Sequence, residues 1–289
     1  MLDLTQTAKS DNKKIAQSIV ALVNKAMIAD EEARRAERYK DRPKSLGGGS
    51  IGFPGATFGD VCERALFYEY KQYEQDEGKG FTADLYRIFG MGHDAEERIA
   101  QYLRTAGFNL LTEGKDGKQF GFEKLPDPDT GIPRMRGFAD GVFIDGPKIL
   151  DGQSLLYPFL WECKALNDKK WKEMVKKGVI KSHPKYYAQV QLYMGMLGLE
   201  ENPCMITAMN RNTGELHQEF VEYNEAHTQQ IINRGIRVVS TKHPLELPRI
   251  NSDFTQIPCT WCPYRGTCKK QEADKAASAT TNQPKFWSQ

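Results

Sequence analysis

The sequence predicts an α/β fold in which helices flank a mixed central sheet. Two observations carry that prediction. Periodic segments alternate along the chain in the order helix, strands, helix, strands. The runs 134–145 and 157–165 read as neighbouring antiparallel strands. The chain has 289 residues, 39% hydrophobic and 27% charged. That is enough to bury a sizeable core.

In order, residues 11–38 read as an amphipathic helix. Asp11 is its candidate cap, and Ile15, Ile19, Leu22 and Ala26 recur at helical spacing. The stretch "DRPKSLGGGS", 41–50, reads as a flexible break. A helix is expected from about Phe58 through "CERALFYEYKQYE", and another from about Leu85 to Ala106. The strands 134–145 and 157–165 follow, then a lysine-rich loop and a helix over 183–198. "PCMITAM" and "LHQEFVEY" flank the turn "NRNTGE" as two more strands. A helix over 225–239 comes next, and the polar tail after about 271 reads as mobile.

The net charge of +2 excludes a polycation, so a nucleic-acid site would be a local basic patch. The first ten residues lack the basic start and apolar core of an export signal. No apolar run approaches membrane-spanning length. The expected compartment is the cytoplasm, and six cysteines there point to metal or redox chemistry before disulfides.

The stretch "LWECKA", 160–165, carries the chemistry. Alternation puts Glu162 and Lys164 on one face of a strand and Trp161, Cys163 and Ala165 on the other. An exposed ion pair on an edge strand is the bland reading. Asp140, in the preceding strand, argues for another. Two carboxylates on adjacent strands repel, and one tends to keep its proton. A hard divalent cation, Mg²⁺ or Mn²⁺, removes that conflict, since it favours oxygen ligands. It lowers the pKa of a bound water and neutralises phosphate charge. Lys164 is placed to orient that water or balance the charge of the transition state. His93, on the helix "GMGHDAEERI" with Glu97 one turn later, is the third candidate ligand. Cys163, between Glu162 and Lys164, is counted among the metal-site residues. Gln189 and Tyr193 share a helix face by their i, i+4 spacing.

These residues carry a resemblance. His93, the G-x-x-D ending at Asp140, E-C-K at 162–164 and Q-x-x-x-Y at 189–193 resemble the RecB-like branch of the PD-(D/E)XK nucleases. Each element is weak alone, and the ordered set spans roughly 58–200. The resemblance implies a metal-dependent nuclease with a restriction-endonuclease-like core. It implies metal binding by His93, Asp140 and Glu162, a lysine assisting the attacking water, and DNA contacts from Gln189 and Tyr193. The chain departs from the pattern at Ala139, where the superfamily motif has a proline that is often missing in this branch.

"PCTWCPYRGTCKK" spaces Cys259, Cys262 and Cys268 as C-x₂-C-x₅-C. Three thiolates need a fourth, and Cys62 is the best candidate. Cys163 and Cys204 read as core. A 4Fe–4S cluster on Cys62, Cys259, Cys262 and Cys268 is the leading reading, with zinc on the same four the alternative. Such a group would staple segments far apart in the chain. One cysteine upstream, followed by "ER" and an aromatic pair, plus three downstream, is similar to the iron–sulphur exonucleases of the CRISPR-associated and AddB types, including phage-encoded relatives. That extends the resemblance over 58–268. The expected organisation is an N-terminal helix and linker over 1–50, a nuclease domain over 51–270 and a tail over 271–289.

From Lys164 to Lys185 the chain has eight lysines. They are a candidate path for a phosphate backbone. Trp171, Tyr186 and Tyr187 are candidate stacking platforms for single-stranded bases. The resemblance implies exonuclease action on DNA ends, with single strands favoured and 5′→3′ polarity preferred, in recombination, repair or phage DNA metabolism. A helicase or recombination protein is the partner class it suggests, and no oligomeric state follows. A structure-selective endonuclease and a non-catalytic DNA-binding module are the rival readings.

Overall fold

A computed structural model of the chain describes residues 12–40, 45–47, 50 and 62–281. Of these, 12–40 and 80–91 belong to one compact unit and the rest to a second. The first unit holds helix α1 (Asn12–Tyr39). Arg87 donates to Asn24 over 2.8 Å, and the Arg35 guanidinium lies 5.1 Å from the Phe81 ring centre. Ile15, Ile19 and Leu22, the stripe expected to pack, are exposed, while Asn24, Met27 and Ile28 on another face are half-buried. The expected cap, Asp11, lies outside the described residues.

The second unit holds β1 (Leu46–Gly47), α2 (Glu63–Tyr70) and the turns from Gly92 onward of α3 (Ala83–Thr105). Then come β2 (Asn109–Leu111), β3 (Gly121–Pro126), β4 (Pro133–Phe138), β5 (Gly141–Asp145), β6 (Ile149–Leu150), β7 (Gln153–Ser154) and β8 (Phe159–Leu166). Helices α4 (Asp168–Ser182) and α5 (Pro184–Leu197) lead to β9 (Cys204–Asn210), β10 (Leu216–Val221), α6 (Glu225–Ser240) and α7 (Arg265–Thr281).

The main sheet has the order β10-β9-β8-β5-β2 and is mixed: β8 and β9 run parallel, and the other pairs are antiparallel. A smaller sheet, β1-β4-β3, and the β6-β7 ribbon complete the strands. Strand β8 is central, which removes the edge-strand reading of "LWECKA". Its alternation sorts its side chains into two cores. Leu160 and Leu166 join Val190, Met194, Ile206 and Ala208 on one face. Phe159, Trp161 and Cys163 join Ile99, Leu103 and Phe143 on the other. A strand buried on both faces reads as a continuous apolar run, so the polar pair inside it stands out.

The structure departs from the sequence reading in several places. The single strand expected over 134–145 is two strands in two sheets, broken at Ala139–Asp140. Asp140 therefore sits at a crossover rather than mid-strand. The lysine-rich segment is a helix, α4, not a loop. The break at 41–50 contains β1, which pairs with β4. Residues 271–281, expected in the tail, are the last turns of α7. Phe58, the expected start of a helix, and residues 282–289 lie outside the described residues.

Candidate active site

The β5–β8 register pairs Gly141 with Trp161 and Val142 with Leu160. One step further along that register Asp140 faces Glu162. The crossover lets Asp140 turn its carboxylate onto β8, where Oδ2 accepts the Cys163 amide over 2.7 Å. Ala139 completes the junction: its amide donates to Phe120 O over 2.8 Å, a bond that proline at this position would remove.

Glu162 is fully buried. Its Oε1 accepts from Gln189 Nε2 over 2.8 Å and from the Lys164 ammonium. Its Oε2 is buried with no hydrogen-bond partner. Burial, and then the neighbouring Asp140 charge, push the Glu162 carboxyl up to about 8. Burial also raises Asp140, against the pull of Lys164 and the Cys163 amide. Lys164 shows the reverse balance. Burial would lower its pKa, but Glu162 and Asp140 outweigh that and hold it charged. The Tyr186 ring centre lies 5.3 Å from its Nζ, within cation–π range.

A third carboxylate stands here that the sequence reading passed over. Glu96 on α3 is half-buried, and burial followed by the field of Asp140 lifts it to about 7. His93, by contrast, is 83% exposed, with Nδ1 3.9 Å from Glu96 Oε2. Glu97, the helix-face partner expected from sequence, is exposed. The i, i+3 spacing from His93 was the available signal for Glu96.

Cys163 joins this group through its backbone, and burial raises its thiol pKa. Tyr193 is buried behind the site, its ring 5.6 Å from Phe122 in an edge contact. Gly137 makes that packing possible, since a Cβ there would sit 2.4 Å from Phe122 and 2.7 Å from Tyr193. On α4, Trp171 is anchored by donating to Ala208 O over 3.0 Å. Tyr187 is buried, so its ring is no free platform for a base. Tyr186, half-buried and stacked on His183, is the aromatic beside Lys164. Besides Lys164, two of the lysines are paired, Lys172 with Asp168 and Lys177 with Glu173.

The cysteines form a second constellation. All six are free. Cys62, Cys259, Cys262 and Cys268 line one cavity of about 300 Å³ together with Arg64, Tyr68 and Trp261. Burial, and then the neighbouring thiols Cys62 and Cys268, raise Cys259. Burial lifts Cys262 to about 11. Among the described residues, no three His, Cys, Asp or Glu side chains converge as ligands of a single ion, at this cavity or at the carboxylates.

No protein-family model and no curated protein matches the sequence. Among solved structures, one titled SSO0001 is similar at 12% identity, covering 88% of this chain and 97% of that one with a TM-score of 0.45. An alkaline exonuclease from Laribacter hongkongensis is similar at 14% identity, covering 82% of this chain and 98% of that one, with a TM-score of 0.45. The same exonuclease in complex with dAMP gives 16% identity, the same coverages and a TM-score of 0.44.

Proposed function

We propose that the chain is a Mg²⁺- or Mn²⁺-dependent deoxyribonuclease of the PD-(D/E)XK type, acting as an exonuclease on DNA ends. The single observation that carries this reading is the unpartnered, fully buried Oε2 of Glu162 beside a second, half-buried carboxylate, Asp140. A buried carboxylate oxygen with no donor costs several kcal/mol. A cation held by Asp140 and Glu162, with Glu96 near, would relieve it. A bound Mg²⁺ or Mn²⁺ supplies charge neutralisation at a phosphate and acidifies a water.

The chain's own groups account for the rest. Gln189 and Lys164 occupy Oε1 of Glu162, so Oε2 is the oxygen that would be left to hold a cation. The Cys163 amide fixes the rotamer of Asp140. Lys164, kept charged by both carboxylates, holds a positive charge where a phosphodiester gains negative charge in its transition state. The exposed lysines of α4 follow β8 directly and are suited to a phosphate backbone. Single strands and 5′→3′ polarity remain the preference drawn from the motif resemblance, as do roles in recombination, repair or phage DNA metabolism. Cys62, Cys259, Cys262 and Cys268 would hold a 4Fe–4S cluster with a structural role. One zinc needs all four sulfurs about 2.3 Å from one point, whereas in a cluster each thiolate takes its own iron. What supports a shared group at these residues is that all four line one cavity.

The test uses end-labelled linear and covalently closed circular single strands with Mn²⁺. Wild type should degrade the linear strand and spare the circle. Asp140→Asn and Lys164→Ala should each lose activity by about 10²-fold or more, the range for a lost electrostatic group, while DNA binding persists. Equal degradation by wild type and Asp140→Asn would sink the reading. Cleavage of the circle would turn it to an endonuclease.

A further inference from the structure

Arg64 lies two residues after Cys62 on α2 and is 5% exposed. Its Nε and Nη2 donate to the Leu247 carbonyl over 3.2 and 2.8 Å. Its Nη1 reaches both the Cys268 sulfur, over 3.6 Å, and Oε1 of Glu272, over 2.5 Å. Glu272 sits on α7 and is also 3.6 Å from Arg249. A buried guanidinium thus has one N–H on a candidate ligand sulfur and its counter-charge on the same nitrogen. For packing alone, the bonds to Leu247 would suffice. The sulfur contact asks for another account.

Hydrogen bonds to sulfur and local net charge are two of the levers that set the potential of an iron–sulphur cluster. Reduction adds negative charge, so a nearby cation and an N–H donor favour the reduced form. A carboxylate beside them opposes it. We propose that the Arg64–Glu272 pair tunes the reduction potential of the cluster held by Cys62, Cys259, Cys262 and Cys268: Arg64 raises it through the Cys268 sulfur, and Glu272 holds that rise in check. This inference rests on the cluster reading given above. Arg249, Arg265 and Lys185 also line the cavity, with Glu69 their only acidic neighbour among its described lining residues. The Arg64 substitutions below leave these groups in place, whereas Glu272→Gln also frees Arg249, which adds to its shift in the positive direction.

The full chain is purified without oxygen, assayed for iron and sulfide, and titrated with dithionite, which is oxidised as the cluster gains an electron. Arg64→Gln should shift the midpoint to more negative values. Glu272→Gln should shift it to more positive values, and Arg64→Lys should fall between wild type and Arg64→Gln. A merely structural pair would change loading or melting temperature and leave the midpoint in place. Loaded Gln variants with unmoved midpoints, or with shifts of the same sign, overturn the proposal. Should Arg64→Gln not fold, Glu272→Gln alone decides, since Glu272 is one-third exposed. Wild type without iron and sulfide overturns the cluster reading itself, and this inference with it.

Discussion

Glu162 keeps one oxygen on Lys164 and Gln189 and the other on nothing. In the metal-free protein the consequence is a proton. The carboxyl rises from 4.5 to about 8, by burial first and by Asp140 second. A carboxyl raised on folding binds a proton in the folded state that the unfolded chain releases. Its contribution to stability is complete below about 4.5 and is lost as pH climbs through about 8, where the folded group also ionises. Glu162→Gln keeps the shape and removes the titration. The expected result is that the melting temperature of metal-free wild type, relative to Glu162→Gln, falls between pH 5 and pH 8.5 (about the span bounded by the two pKa values). Added Mg²⁺ should restore it. A difference that stays flat with pH would mean that Glu162 is ionised throughout. This group was legible in the sequence because period-two alternation alone places Glu162 with Lys164. Glu96 was not, since Glu96 and Glu97 fit a helix-face argument equally and only burial separates them.

Helix α4 shows what an element's composition hides. Its charge density reads as a loop, yet three anchors make it a helix. Asn167 caps it by accepting from the Lys170 amide, Trp171 pins it to β9, and Glu219 on β10 accepts from the Val179 amide with both oxygens. The last contact exists because the helix breaks at Gly178, with φ 73° and ψ 164°. That backbone region belongs to glycine. A Cβ there would also come within 3.0 Å of Glu219 Oε1. Gly178→Ala should therefore cost about 1–3 kcal/mol, read as a lower midpoint in urea with unchanged m-value. Stability within ~0.5 kcal/mol of wild type would show that the kink is not held. The split of 134–145 was hidden for a related reason. Strand periodicity reports side-chain alternation and does not report that the chain changes sheets, which is the step that brings Asp140 to Glu162.

At the scale of the molecule, the sequence order of the cysteines matters more than their local spacing. Cys62 stands at the start of α2, and Cys259, Cys262 and Cys268 lie between α6 and the first turn of α7, yet all four line one cavity. The main sheet, including the carboxylate strand β8, lies between them in the chain. A group bonded to all four closes a loop of nearly two hundred residues in the unfolded state as well as the folded one. On the chain-entropy account such a closure stabilises by about 5 kcal/mol. For a unit of this size that corresponds to roughly 10–20 °C in melting temperature. Loaded wild type should therefore melt well above Cys262→Ser, and most of that difference should vanish when iron is chelated from wild type. The carboxylate site is separate chemistry, so Mn²⁺ should still stabilise Cys262→Ser at temperatures where it remains folded. A loaded wild type that melts with Cys262→Ser would show that Arg64, Glu272 and the packing of α2 against its neighbours already hold the two ends together without the bonds to sulfur.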